Sequence, residues 1–276
     1  MNSRDPILRK LCAGDIPAAL QLSTQADWNQ TAEDWQLLID LAPESCLAIE
    51  TEGELASTAT LLCYGQRLAW VGMVLTRIAY RGRGYASRLL LETLRLADQR
   101  RVETVKLDAT DQGQPLYEKL GFRCEQPVER WSRPASAYIP IQPQSHDATH
   151  ADSWQSADRR AFGVDRSRLL GRLARRNPPV SVGQSYLLTR AGRVTSYLGP
   201  SVADAPKTAR NMIERALESP GTGGWSWDLL LENADAVALA RDLGFVPKRH
   251  LLRMVRGKDL RAEDASIYAI AGFELG

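Results

Sequence analysis

Four cysteines and three histidines are all that the chain offers to a disulfide framework or a soft metal. Cys12, Cys46, Cys63 and Cys124 form no Cys-x-x-Cys pair, and no metal-site spacing joins them to a histidine. They read as buried, reduced thiols. His146 and His150 stand four apart, but in a Pro/Gln/Ser-rich stretch without helical pattern, so no metal is expected. No apolar run approaches membrane-spanning length and the first residues lack an apolar signal segment, which predicts a cytoplasmic protein with no membrane partner. Excess charge is missing too. A net of +2 gives no argument for nucleic acid. The arginine run from Arg166 to Arg176 is interleaved with Leu169, Leu170 and Leu173 and reads as a solvated helix face.

What is present is length, and one dense stretch. A chain of 276 residues can bury a sizeable core and hold two domains. Trp70 to Leu75 is apolar apart from Gly72, as expected of a strand covered on both faces. Arg81-Gly82-Arg83-Gly84-Tyr85-Ala86 follows as a basic loop. Ala86, Leu89, Leu90, Thr93, Leu94 and Ala97 then recur at helical spacing. A helix start carries unpaired N–H groups and partial positive charge. Gly82 and Gly84 let a ligand approach the main chain, and Arg81, Arg83 and Arg88 add charge, so a phosphate or pyrophosphate fits. The plain alternative is a strand-to-helix turn that merely needs glycine.

The hexapeptide Arg81 to Ala86 resembles the Arg/Gln-x-x-Gly-x-Gly/Ala signature of the GNAT superfamily of acyl-CoA-dependent N-acyltransferases. It differs from the dinucleotide-binding fingerprint and lacks the Gly-Lys-Ser/Thr ending of a P-loop. The resemblance implies acetyl-CoA as acyl donor, with phosphate contacts from Arg81, Gly82, Arg83, Gly84, Tyr85 and Ala86. It also implies pantetheine contacts from the main chain of Met73, Val74 and Leu75.

The element order agrees with it. Residues 7–11 predict a strand, and Gly14-Asp15-Ile16-Pro17 a helix start with Asp15 as N-cap. Thr31-Ala-Glu-Asp34 predicts a capping box opening a helix that Pro43 ends. Residues 46–50 and 55–64 predict a hairpin, 103–110 a strand, 115–120 a short helix, and Phe122 starts a last strand. This is the α/β layout of a GNAT domain, a mixed, mostly antiparallel sheet flanked by helices, and the likeness covers about residues 5–133. Residues 134–153 read as a linker. Residues 154–276 repeat the pattern: Leu-Tyr-Glu-Lys-Leu-Gly-Phe122 matches Leu-Ala-Arg-Asp-Leu-Gly-Phe245, each after a strand bearing an aspartate, Asp108 or Asp228. The expected organisation is therefore a catalytic domain over 1–133, the linker, and a degenerate GNAT-like domain over 154–276, as in bacterial two-domain members. The second copy's loop, Leu198 to Pro206, has no arginine and no Gly-x-Gly/Ala, and its Asp204 would repel a phosphate.

Acyl transfer from a thioester to an amine needs a neutral amine, a polarised carbonyl, juxtaposition and a proton for the leaving thiolate. By resemblance, Val74 or a neighbour supplies the polarising N–H and Tyr117 the proton; a phenol suits that task. Tyr117 aligns with Ala240 in the degenerate copy. Asp108 is a candidate base, or else a turn residue, with Asp27 and Asp34 as weaker candidates. Trp28, Asn29 and Trp35 sit where the family places acceptor-binding helices, and Trp225, Trp227 and Asp228 could close the cleft from the second domain; core packing is the alternative for the tryptophans. The expectation is N-acetyl transfer to a small-molecule amine by direct attack in a ternary complex. An acyl-CoA sensor without turnover and a protein-lysine acetyltransferase are the other readings, and a homodimer stays open.

Overall fold

The computed structural model describes residues 5–135, 151–218, 221–258, 260 and 264–276. Most of the stretch read as a linker, with His146 and His150, lies outside the described residues. The first half runs β1 (Ile7–Lys10), α1 (Ile16–Gln25), α2 (Ala32–Leu41), β2 (Cys46–Thr51), β3 (Glu54–Tyr64), β4 (Leu68–Thr76), α3 (Tyr85–Gln99), β5 (Thr104–Ala109), α4 (Gln114–Lys119) and β6 (Arg123–Arg133). The second runs α5 (Ala151–Phe162), α6 (Ser167–Arg176), β7 (Val180–Val182), β8 (Ser185–Arg190), β9 (Ser196–Val202), α7 (Pro206–Leu217), β10 (Trp225–Leu230), α8 (Ala234–Asp242), β11 (Val246–Gly257) and β12 (Ile267–Ala269). The expected α/β class is what the chain adopts.

Local signals explain several boundaries. The Thr31 hydroxyl accepts the Asp34 N–H while the Asp34 carboxylate accepts the Thr31 N–H, so the capping box forms with aspartate at its third position. Asp15 does not cap α1 with its side chain. It accepts the Cys12 N–H instead, and the Arg9 guanidinium holds its carboxyl down at about 2. The arginine face of α6 is exposed as expected, except at Arg166. That residue is buried beneath the helix, paired with Asp158 at 2.6 and 3.1 Å, because α5 brings a carboxylate under it. Cys46 is buried, but Cys12 and Cys124 are exposed, at a helix entrance and a strand start; all four thiols are free.

The strands form one continuous sheet in the order β1-β2-β3-β4-β5-β11-β6-β10-β9-β8-β7, with β12 beside β9. Two properties of this order build the site. First, the halves exchange strands: β11 lies between β5 and β6, and β6 pairs with β10. Residues of the second half therefore stand directly beside β5. Second, only the β4/β5 and β9/β10 neighbours are parallel, and both pairs separate early. β4 and β5 pair only from Leu68 to Trp70, after which they splay into a wedge.

The equivalent wedge in the second half is filled by the chain itself. β9 and β10 pair from Ser196 to Leu198, and β12 then packs against β9 while the Ile270 N–H donates to the Asp228 carbonyl at 3.1 Å. Beyond β12 the segment crosses to the first half. There the Phe273 carbonyl accepts from Trp70 Nε1 at 2.9 Å and the Leu275 carbonyl from the Tyr64 hydroxyl at 2.5 Å. Gly72 is required at this crossing. A Cβ on Gly72 would stand 2.9 Å from the Glu274 carbonyl oxygen and 3.0 Å from its Cα, main-chain atoms that cannot swing aside. Gly72→Ala is expected to destabilise by about 1–3 kcal/mol, as overpacking does, and to lower turnover. Thermal unfolding checks the first; an unshifted Tm would contradict the fit.

Candidate active site

The basic loop lies at the mouth of the β4/β5 wedge. β4 ends at Thr76, a 3₁₀ turn spans Ile78–Tyr80, and α3 begins at Tyr85. Gly82 and Gly84 both have φ of +76°, and a Cβ on either would meet nothing within 4 Å. Conformation, not space, demands glycine here. The turn leaves the first N–H groups of α3 without helical acceptors, facing a trough of about 520 Å³ lined by Val74, Leu75, Thr76, Arg81, Gly82 and residues 84–87. Of the three arginines expected to add charge, only Arg81 lines it. The Arg83 guanidinium folds back 5.0 Å over the Tyr80 ring and donates to the Ala79 carbonyl, and Arg88 donates to the Pro6 carbonyl at 2.9 Å.

Deeper in the wedge, β4 carries a bulge. Its register with β3 jumps from Thr58–Leu75 to Thr60–Gly72, so Met73 and Val74 together face Ala59. Met73 adopts φ of +49°, rare for a side chain of its size, and the Thr58 hydroxyl holds its carbonyl at 2.7 Å. On the other edge pairing with β5 has already stopped at Trp70, so the main chain of Met73 and Val74 borders the wedge with no strand partner there. Tyr117 reaches this point from α4. Its ring packs edge-on against Phe122 at 6.0 Å, and burial pushes its phenol up to about 12, which keeps it protonated at any working pH.

A smaller cavity of about 80 Å³ adjoins the trough, and Trp28, Val74, Thr110, Tyr117 and Arg249 line both. Its remaining walls include Gln30, Gly72, Met73, Asp108, Arg130, Phe273 and Glu274. The predicted residues divide here. Val74, Tyr117 and Trp28 meet around one point. The Asp108 carboxylate is committed: it is bidentate to Arg253, directly across the sheet, at 2.9 and 3.1 Å, and its side chain has no exposed surface. Asp228 is likewise buried against Arg130 at 2.7 and 2.6 Å. Trp35 is fully buried between α1 and the sheet, its Nε1 on Ser23. Asn29 is buried and ties the halves together. Its Oδ1 accepts the Val194 and Thr195 N–H groups at 2.6 and 3.0 Å, and its Nδ2 donates to the Thr195 carbonyl at 2.8 Å. That contact occupies residues 193–195, so β9 starts only at Ser196.

Asn29 thus positions Trp28 and Gln30 rather than lining the cavity. Asn29→Ala leaves two N–H groups unpaired, at a cost of about 1–3 kcal/mol. It is expected to lower the Tm and to raise the acceptor KM without a matching change in donor affinity. Equal shifts in both affinities would show that the loop does not serve the small cavity alone.

Sequence reasoning missed Gln30, Arg130, Arg249 and Glu274. Three come from strands or segments whose place depends on the exchange of β6 and β11, which no local pattern signals. Glu274 is held by Arg190 Nη2 at 3.0 Å and Gln30 Nε2 at 3.2 Å, and burial raises its carboxyl above the usual range against the pull of Arg190. Among the described residues no group of three or more His, Cys, Asp or Glu could hold a metal ion.

Two family models match the chain, an acetyltransferase (GNAT) family over residues 16–122 and an acetyltransferase (GNAT) domain over residues 155–269. The chain belongs to the GNAT acetyltransferase family. The chain is similar to YitH of Bacillus subtilis, an uncharacterised N-acetyltransferase, 25% identical over 98% of both chains. A holothin acyltransferase from a Pseudoalteromonas species is 24% identical, covering 90% of this chain and 87% of its own. The crystal structure of a provisionally assigned acetyltransferase from Pyrococcus horikoshii shares the whole fold, with a TM-score of 0.83 at 22% identity over 100% of this chain and 98% of that one. A GCN5-related N-acetyltransferase from Sphaerobacter thermophilus superposes with a TM-score of 0.68 at 18% identity, over 93% and 98%. Tandem GNAT architecture is therefore a property of the whole chain. No helix among the described residues is long and apolar enough to cross a membrane.

Proposed function

We propose that the protein transfers an acetyl group from acetyl-CoA to the amine of a small molecule by direct attack in a ternary complex. One observation carries this reading: Tyr117 stands where the large trough and the small cavity meet, beside the bulged Met73–Val74 main chain. The trough has the features a pyrophosphate needs, a helix start, two left-handed glycines and Arg81. The pantetheine arm would follow the open edge of β4 into the wedge, where acetyl-CoA supplies the thioester.

At the junction a main-chain N–H at Val74 polarises the thioester carbonyl. The amine in the small cavity attacks the carbonyl carbon; the new N–C bond forms, the C–S bond breaks, and Tyr117 gives its proton to the departing sulfur. The proton leaving the amine goes to Glu274, directly or through water: its carboxylate lines the small cavity with one oxygen on Arg190 and the other on the neutral Gln30 amide, whereas both oxygens of Asp108 are taken by Arg253. Since that carboxyl titrates above the usual range, kcat should rise with pH through its ionisation. Glu274→Gln should lower kcat and flatten that acidic limb; an unaltered pH profile would remove Glu274 from the step.

The small cavity's size, and its cover by Trp28 and the 273–274 segment, favour a small acceptor over a protein lysine. A screen of amines for acetyl-dependent thiol release tests the activity itself. Acetyl-CoA binding with no turnover across the screen would favour the sensor reading.

A further inference from the structure

Each buried carboxylate around the small cavity has its arginine. Asp108 pairs with Arg253, Asp228 with Arg130, and Glu274 with Arg190. One arginine is left over. Arg249 lines both cavities, is half-buried, and makes no ion pair among the described residues. Its guanidinium carbon lies 5.6 Å over the Trp28 ring.

Its position makes that isolation costly. The β11/β6 register sets Arg249 directly opposite Arg130, and the β6/β10 register sets Arg130 opposite Asp228. The row Asp228–Arg130–Arg249 therefore places two cations side by side with one carboxylate, and Arg130 takes both oxygens of that carboxylate. Like charges facing each other across a sheet are destabilising. Burial first, and Arg130 second, disfavour the charge on Arg249. A guanidinium held over an indole, against another guanidinium and facing a cavity, offers a planar pair of donors with no acceptor among the described residues.

We infer that the acceptor bears a carboxylate close to its reacting amine, and that Arg249 receives it. The inference rests on the acetyl-transfer reading for the word acceptor, but the anion site stands on its own geometry. Glu274 and Arg249 line the same small cavity, so each end of such a molecule has a partner there: the ammonium faces Glu274 before it is deprotonated, and the carboxylate faces Arg249. An amino acid carries both groups. Arg249 is thus a specificity residue, without a role in bond making.

The test has a binding arm and a turnover arm. Amino acids, their amides, the corresponding decarboxylated amines and aminoalkyl phosphates of matched length are titrated into the full chain without acetyl-CoA. At least one amino acid should bind roughly ten- to a hundredfold tighter than its amide, the range of one charge-assisted pair. Arg249→Gln should erase that preference, Arg249→Lys should restore part of it, and acetyl-CoA affinity should stay within about twofold. If no acid outbinds its amide, the inference is wrong. If phosphates bind best, or if Arg249→Gln weakens acetyl-CoA tenfold instead, Arg249 serves another anion and the assignment is overturned. Arg249-dependent binding of acids without any thiol release would keep the anion site and refute acetyl transfer.

Discussion

Tyr117→Phe is expected to lower kcat by roughly 10²- to 10⁴-fold, the usual worth of a positioned general acid, with acetyl-CoA affinity almost unchanged. The ring is buried and packs on Phe122, so the phenylalanine variant keeps every apolar contact. Its hydroxyl has no hydrogen-bond partner on the protein among the described residues, and the residue lines both cavities. Removing it should cost little stability. The phenol at about 12 also fixes the form of the pH profile: an alkaline limb near neutrality cannot come from Tyr117. Steady-state kinetics with calorimetric acetyl-CoA binding checks both halves of the expectation. Full turnover in the variant would remove Tyr117 from the mechanism.

Gly84→Glu should abolish measurable acetyl-CoA binding, a loss of at least about a hundredfold. Two causes act together. A side chain at φ of +76° is strained, by about 1–2 kcal/mol, and the carboxylate is placed where the pyrophosphate must sit. Gly84→Ala separates them, since it carries the strain without the charge, and there is open space around the position. The alanine variant should bind with an intermediate loss. If Gly84→Glu binds normally while folding normally, the trough is not the donor site.

The trough beside the glycine loop was legible in the sequence because it is local. The strand, the glycine turn and α3 are consecutive, and each signals itself by apolar run, left-handed glycine or helical period. Tyr117 was chosen by resemblance to the family's motif, with Ala240 as its contrast in the second copy, and the structure sets it between the trough and the small cavity. The small cavity was not legible, because it is assembled by topology. Arg249 and Glu274 reach the cavity only because β11 inserts beside β5 and the last segment crosses over Gly72. Asn29, Trp35, Asp108 and Asp228 were chosen for residue type and proximity to helices or strand ends. Burial spends all four on protein partners, in an interdomain clamp, a core indole and two cross-strand ion pairs. The second copy's missing glycine motif was visible in the sequence; the structure adds that β12 packs beside β9, in the wedge equivalent to the one the first copy keeps open.

The two-copy fold is expected to carry one working donor site. Calorimetric titration of acetyl-CoA into the full chain should therefore give one site per chain, lost in Gly84→Glu and retained in Tyr117→Phe. Two sites per chain, or a single site indifferent to Gly84→Glu, would contradict that expectation.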